Sequence, residues 1–233
     1  MTGPLAWRDR ADGGIEVAFT DASTTVERFA DTPQVQVDAA LAQLSNACGA
    51  RVVDMHQVHG ASVSLVVDAA AETTAEADAL VTAVPGVALL ARVADCVPVL
   101  IADPAAGVIA AVHSGRPGLL AGVVPAALRA MTSLGAAPAV AWIGPHVCGR
   151  CYEVPDPMRR EVVEQVPASW SETSWGTPAL DLGAGVAAQL ARGGVEDVRE
   201  VGGCTREDSR WHSYRRDGAA AGRFAGLIWR ESR

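Results

Sequence analysis

The sequence predicts an α+β fold, a compact single domain of mixed β-sheets flanked by helices, on three observations. Between Arg51 and His113, short β-branched runs follow one another, broken by Gly, Pro, Asp or Thr, as neighbouring strands do. Helical spacing of apolar residues is confined to the flanking stretches. The chain has 233 residues, 49% of them hydrophobic, which is enough for one large core, and no linker argues for a division. Residues 1–233 are therefore read as one domain.

Taken in order, IEVAF at 15–19 reads as a strand. A helix is expected over 33–48, beginning near Asp31, Thr32 and Pro33, with Val37, Leu41 and Leu44 on one face and Gly49 as its stop. RVVDM, SVSLVV, DALVT, VALLARV, VPVLIAD and GVIAAV then read as six strands. Segment 119–134 reads as a helix in which Pro125 marks a kink or a late start. AVAWIG follows as a strand, then helices at 156–166 and 183–193, the second ended by Gly193 and Gly194. Strands at 197–201 and 222–229 complete the chain.

Composition narrows the chemistry. Net charge is −8, which argues against general nucleic-acid binding, since that requires a basic face. All 19 basic residues are arginine, so a phosphate loop ending in Gly-Lys-Ser/Thr and lysine Schiff-base chemistry are excluded. Anion binding falls to arginine, backbone amides or a metal. The N-terminus has no apolar signal-like stretch and no run reaches the length of a membrane span, so a cytoplasmic protein with no membrane partner is expected. Five scattered cysteines fit reduced thiols better than a disulfide framework.

His59, Cys96 and His113 each end or follow an apolar run beside a sharp turn, in MHQVHGASV, RVADCVPVL and AAVHSGRPG. Two imidazoles and a thiol suit zinc with a fourth position open, an arrangement of catalytic type. Cys96 stands 37 residues after His59 and His113 a further 17 (96 − 59 and 113 − 96), too wide for a knuckle, so a fold must bring them together. Asp95 reads either as a partner orienting a metal-bound imidazole or as a turn cap. His56 and His146 sit in comparable loops without an assigned role. Cys148 and Cys151 form C-x-x-C, half of a zinc knuckle or a redox pair; two thiols in a turn after a strand is the preferred reading. In SYRRDG, Arg215 and Arg216 are the best candidates for holding an anion by guanidinium forks, against the plainer reading of surface salt bridges with Asp208 or Asp217.

HQVHG, ADALVT, PGVALL, ADCVPVLIAD, AVHSG, IGP with CYEV, and SYRRDG with GRFAGLIW occur in this order. Together they resemble the YfiH/laccase-domain (polyphenol oxidase-like) family over roughly residues 50–230. The resemblance implies a compact α/β fold and a zinc site on His59, Cys96 and His113. It also implies phosphorolysis of adenosine, inosine and methylthioadenosine together with adenosine deamination. Purine nucleoside and phosphate would then be the partners, and zinc the cofactor, with Cu2+ as the alternative ion.

This chain departs from the family's HAGWRG turn, where it has Arg116 and Pro117, and from DLWAAN, where it has Asp181-Leu182-Gly183-Ala184-Gly185-Val186. Two rival activities use the same residues. One is a Cys–His hydrolase or acyltransferase with Cys96 as nucleophile and His113 as its base. The other is a copper polyphenol oxidase, for which five histidines suffice for one copper only.

Overall fold

Alternation along fully buried strands builds the centre of the molecule. In the computed structural model, which describes residues 3–26, 32–70 and 76–231, strand β1 (Trp7–Ala11) leads into β2 (Ile15–Phe19), helix α1 (Gln34–Cys48) and strands β3 (Arg51–Val53), β4 (Val63–Leu65) and β5 (Ala79–Thr82). Three seven-residue strands follow: β6 (Val87–Val93), β7 (Val97–Asp103) and β8 (Val108–Ser114). Helices α2 (Arg116–Ala121) and α3 (Val123–Ser133) precede β9 (Val140–Ile143) and α4 (Asp156–Gln165). The chain ends with the hairpin β10 (Trp170–Glu172) and β11 (Pro178–Leu180), α5 (Leu182–Arg192), β12 (Asp197–Glu200), the one-turn α6 (Tyr214–Asp217) and β13 (Phe224–Arg230).

The strands form two mixed sheets, ordered β1-β2-β13-β6-β3 and β12-β9-β7-β8-β5-β4. Each is antiparallel through its middle, with a parallel pair at one edge in the first and at both edges in the second. One face of each sheet packs on the other: Phe19, Leu89 and Phe224 of the first sheet meet Leu80, Leu100 and Trp142 of the second. The opposite face of the six-stranded sheet, with Val99, Ile101 and Val112, is covered by α2 to α5. The outer face of the five-stranded sheet, with Leu90, Leu227 and Trp229, is covered by α1. A layered α–β–β–α arrangement results, and the middle strands read as continuous apolar runs because both of their faces are dry.

Three local outcomes refine the sequence reading. Helix α1 starts at Gln34 and ends as expected at Gly49, in the left-handed region at φ 64°; Asp31, in the expected start, lies outside the described residues. The helix expected over 119–134 is two helices, because Gly122 turns the chain at φ 77°. Pro125 then falls in the first turn of α3, where no intrahelical donor is lost. No helix among the described residues is long and apolar enough to cross a membrane.

Candidate metal centre

The connection from β6 to β7 passes from one sheet to the other, and Cys96 stands in that crossover. His113 lies near the end of β8, paired in register with Pro98 just after the crossover. His59 comes from the loop between β3 and β4. The fold thus gathers three residues that are far apart in sequence, with every pair of candidate donor atoms within 4.8 Å. Cys96 Sγ lies 3.9 Å from His59 Nε2, and the two imidazoles meet edge to face at 4.7 Å between centroids.

Asp78, at the entry to β5, organises this group. Its carboxylate accepts the His113 Nδ1 proton at 2.8 Å and the backbone N–H groups of His59 at 2.9 Å, Gly60 at 2.6 Å and Val58 at 3.3 Å. Fixing the Nδ1 proton leaves Nε2 of His113 for the thiol or a metal, the role that partners of metal-binding histidines commonly play. Burial opposes the charge on Asp78, but the His113 hydrogen bond and the backbone donors outweigh it and hold the carboxyl below its ordinary range. Gln57 ties the His59 loop to β6 by exchanging two 2.8 Å bonds with the Arg92 backbone.

Sterics also fit an ion. A Cβ on Gly115 would stand 2.9 Å from His59 Cδ2 and 3.0 Å from Cys96 Sγ, so only glycine leaves this flank of the donor set unobstructed. Among the described residues, His59 (φ 60°) and Asp95 (φ 87°) are the non-glycine residues with positive φ. Backbone strain is thus concentrated at this site. The soft and borderline donors, their convergence, the fixed tautomer and the space together match what zinc or copper requires.

Charge within the group is strongly coupled. Burial raises the Cys96 thiol, yet the His113 charge and the hydrogen bonds of both imidazoles bring it down to about 6. Burial lowers His113, while the Cys96 charge and the Asp78 hydrogen bond raise it to about 9. Without a cation, the mutual attraction of the pair favours thiolate and imidazolium over thiol and neutral imidazole.

The trio opens on a cleft of about 550 Å³ whose wall includes Arg116, Tyr152, Leu182, Tyr214, Arg215 and Arg223. Arg215 lies 4.9 Å over the Tyr152 ring, and neither it nor Arg116 has a carboxylate within ion-pair distance among the described residues. Arg216 points elsewhere. Its guanidinium pairs with Asp217 at 2.8 Å and donates to the carbonyls of Thr205 at 2.7 Å and Trp211 at 2.9 Å, so the expected fork of Arg215 and Arg216 is split by the α6 turn.

Asp95 does not orient an imidazole. It accepts the Thr205 hydroxyl at 2.6 Å and the Arg215 backbone N–H at 2.5 Å, joining the Cys96 turn to the segment that carries Arg215. His56 lines the cleft. His146 is not in its wall, and its Nδ1 bonds the Gly144 carbonyl at 2.8 Å. Cys148 and Cys151 are not an isolated pair of thiols, because Cys204 and Glu207 join them in a second group of donors within 4.8 Å.

Residues 6–231 match the family described as multi-copper polyphenol oxidoreductase laccase. A Streptomyces coelicolor protein named a purine nucleoside phosphorylase is 60% identical over 184 residues, 77% of this chain and 75% of that one. A Mycobacterium tuberculosis protein of the same name is 46% identical over 224 residues, covering 94% and 89%. The crystal structure of a Neisseria meningitidis protein superposes with a TM-score of 0.85 at 28% identity, covering 98% of this chain and all of that one. YlmD from Geobacillus stearothermophilus superposes at 0.84 with 25% identity, covering 99% and 100%. With the match running from the first strand to the last, this chain belongs to the multi-copper polyphenol oxidoreductase laccase family.

Proposed function

We propose that the chain is a zinc-dependent purine nucleoside phosphorylase acting on adenosine, inosine and methylthioadenosine, with adenosine deaminase activity, working in the cytoplasm as one domain. The observation that carries this reading is the convergence of His59, Cys96 and His113 in the wall of a cleft that Arg116 and Arg215 also line. Relatives 46–60% identical bear the name purine nucleoside phosphorylase.

His59, Cys96 and His113 hold the metal in this reading, and Asp78 keeps the His113 proton on Nδ1. Zinc, when bound, supplies a Lewis acid with an open position; copper is the alternative for the same donor set. In phosphorolysis a phosphate oxygen bonds to the anomeric carbon as the bond to the purine nitrogen breaks, and the base leaves with a proton. Arg215 and Arg116 orient the phosphate by charge-assisted hydrogen bonds, each worth roughly 1.5–3 kcal/mol. Arg215 takes this role without Arg216. In deamination, water replaces the purine amine and ammonia departs.

The thiolate–imidazolium pair of Cys96 and His113 favours a second reading, a cysteine hydrolase or acyltransferase active without metal. Incubation of metal-free, zinc-loaded and copper-loaded protein with adenosine, inosine or methylthioadenosine, with and without phosphate, separates the readings. Adenine formed only with phosphate supports phosphorolysis, and inosine supports deamination. Failure to convert adenosine, inosine or methylthioadenosine under any of these conditions contradicts the proposal.

A further inference from the structure

Beyond the cleft, two short turns present a second set of soft donors. β9 and β12 are parallel neighbours with Ile143 opposite Glu200, so the chain leaves both strands side by side at the same end of the sheet. The pairing continues past the strands: Val201 donates to the Ile143 carbonyl at 2.9 Å, His146 bridges to Cys204, and Thr205 donates to the His146 carbonyl at 3.0 Å. Cys148-x-x-Cys151 follows one strand and Cys204-x-x-Glu207 follows the other.

The two turns have the same form. Cys151 and Tyr152 donate to the Cys148 carbonyl at 2.9 and 3.0 Å, and Glu207 and Asp208 donate to the Cys204 carbonyl at 3.1 and 2.9 Å. This is the tight reversal that lets residues three apart offer donors to one point. The donor atoms of all four residues lie within 4.8 Å of one another, Cys151 is 2% exposed, and the Cys148 N–H points at Cys204 Sγ at 3.4 Å, as backbone amides do toward metal-bound sulfur.

We propose that Cys148, Cys151, Cys204 and Glu207 bind a second, structural zinc ion. Three thiolates and one carboxylate complete a tetrahedral set with no open position, the structural type of zinc site. The assembled site carries a net charge of −2, and the Arg206 guanidinium, between two of the ligands in sequence, offsets part of it. A disulfide would use two of the sulfurs and leave the third sulfur and the carboxylate without a purpose. The site's place in the fold gives it a task. Val147 and Tyr152 on one turn line the catalytic cleft, and Thr205 on the other holds Asp95 beside Cys96. The ion thereby clamps the two loops that carry the Tyr152 and Arg215 wall.

Zinc content of the full chain, purified and supplied with zinc under reducing conditions, tests this. Two equivalents are expected in the wild type and one in both His113→Ala and Cys148→Ser/Cys204→Ser, lost from different sites. X-ray absorption of His113→Ala should show a sulfur-rich zinc shell near about 2.3 Å. Should the cysteine variant fail to fold, the wild type still decides: zinc must protect Cys148 and Cys204 from alkylation as mapped by mass spectrometry. Zinc that leaves both thiols as reactive as before, or a Cys148–Cys204 disulfide recovered in place of zinc, overturns the proposal. Because His113→Ala is read separately, failure of the catalytic site does not mask the result.

Discussion

Replacing Asp78 by asparagine keeps the shape of a fully buried side chain but removes its charge and half of its acceptor capacity. Oδ1 serves His113 Nδ1 and the His59 amide, and Oδ2 serves the amides of Gly60 and Val58. Whichever way the new amide turns, its NH2 group faces two N–H donors. Two bonds to a charged acceptor are lost, each worth roughly 1.5–3 kcal/mol, out of the roughly 5–15 kcal/mol that typically stabilises a domain. Asp78→Asn should therefore fold with a lowered Tm. With the His113 tautomer and the His59 loop no longer fixed, zinc affinity at His59, Cys96 and His113 should fall roughly 10–100-fold. Chelator-competition titration measures that affinity, with circular dichroism confirming the fold. A folded Asp78→Asn protein whose affinity stays within about threefold of the wild type would refute the assignment of Asp78 as the positioning residue.

Other outcomes follow from the same geometry. In metal-free protein the Cys96 thiol, lowered to about 6, should be mostly thiolate at pH 7, so its alkylation should fall only as pH drops through about 6. His113→Ala should move that midpoint upward, and zinc should abolish labelling. Arg215→Ala and Arg116→Ala should each raise the phosphate needed for adenine release by about tenfold to a hundredfold; Arg216→Ala should lower Tm and leave phosphate dependence unchanged. Chelation should preserve the far-ultraviolet circular dichroism, because the buried faces of both sheets are covered without any metal. Cooperative unfolding on chelation at room temperature would count against that view.

The parts of the fold that are legible in the sequence are those where burial is uniform. Val87–Val93, Val97–Asp103 and Val108–Ser114 stand out as apolar runs because both faces of each strand are covered. Strand β1 was not legible: its alternation of half-buried and exposed residues carries Arg8, Asp9 and Arg10, as an edge strand does. The hairpin of Trp170–Glu172 and Pro178–Leu180 is too short for a period to register. His59, Cys96 and His113 are legible as polar residues at turns after apolar runs. Asp78 is not, since a lone acid before ALVT gives no sign that an imidazole 35 residues later (113 − 78) will settle against it. Arg215 and Arg216 read alike as a pair, and only the α6 turn separates their directions. Cys148-x-x-Cys151 and Cys204-x-x-Glu207 share a spacing that hints at paired knuckles, but their parallel approach depends on β9 meeting β12.

Reconstitution with metal decides whether nucleoside chemistry depends on an ion held by His59, Cys96 and His113. Phosphate-dependent adenine release from adenosine is measured as zinc is returned to chelated wild-type protein and to chelated Cys96→Ser. Wild-type activity should be absent after chelation and return in step with occupancy of this site, while Cys96→Ser should stay inactive at every zinc concentration. Full activity in the metal-free wild type, or recovery in Cys96→Ser equal to that of the wild type, would contradict that dependence.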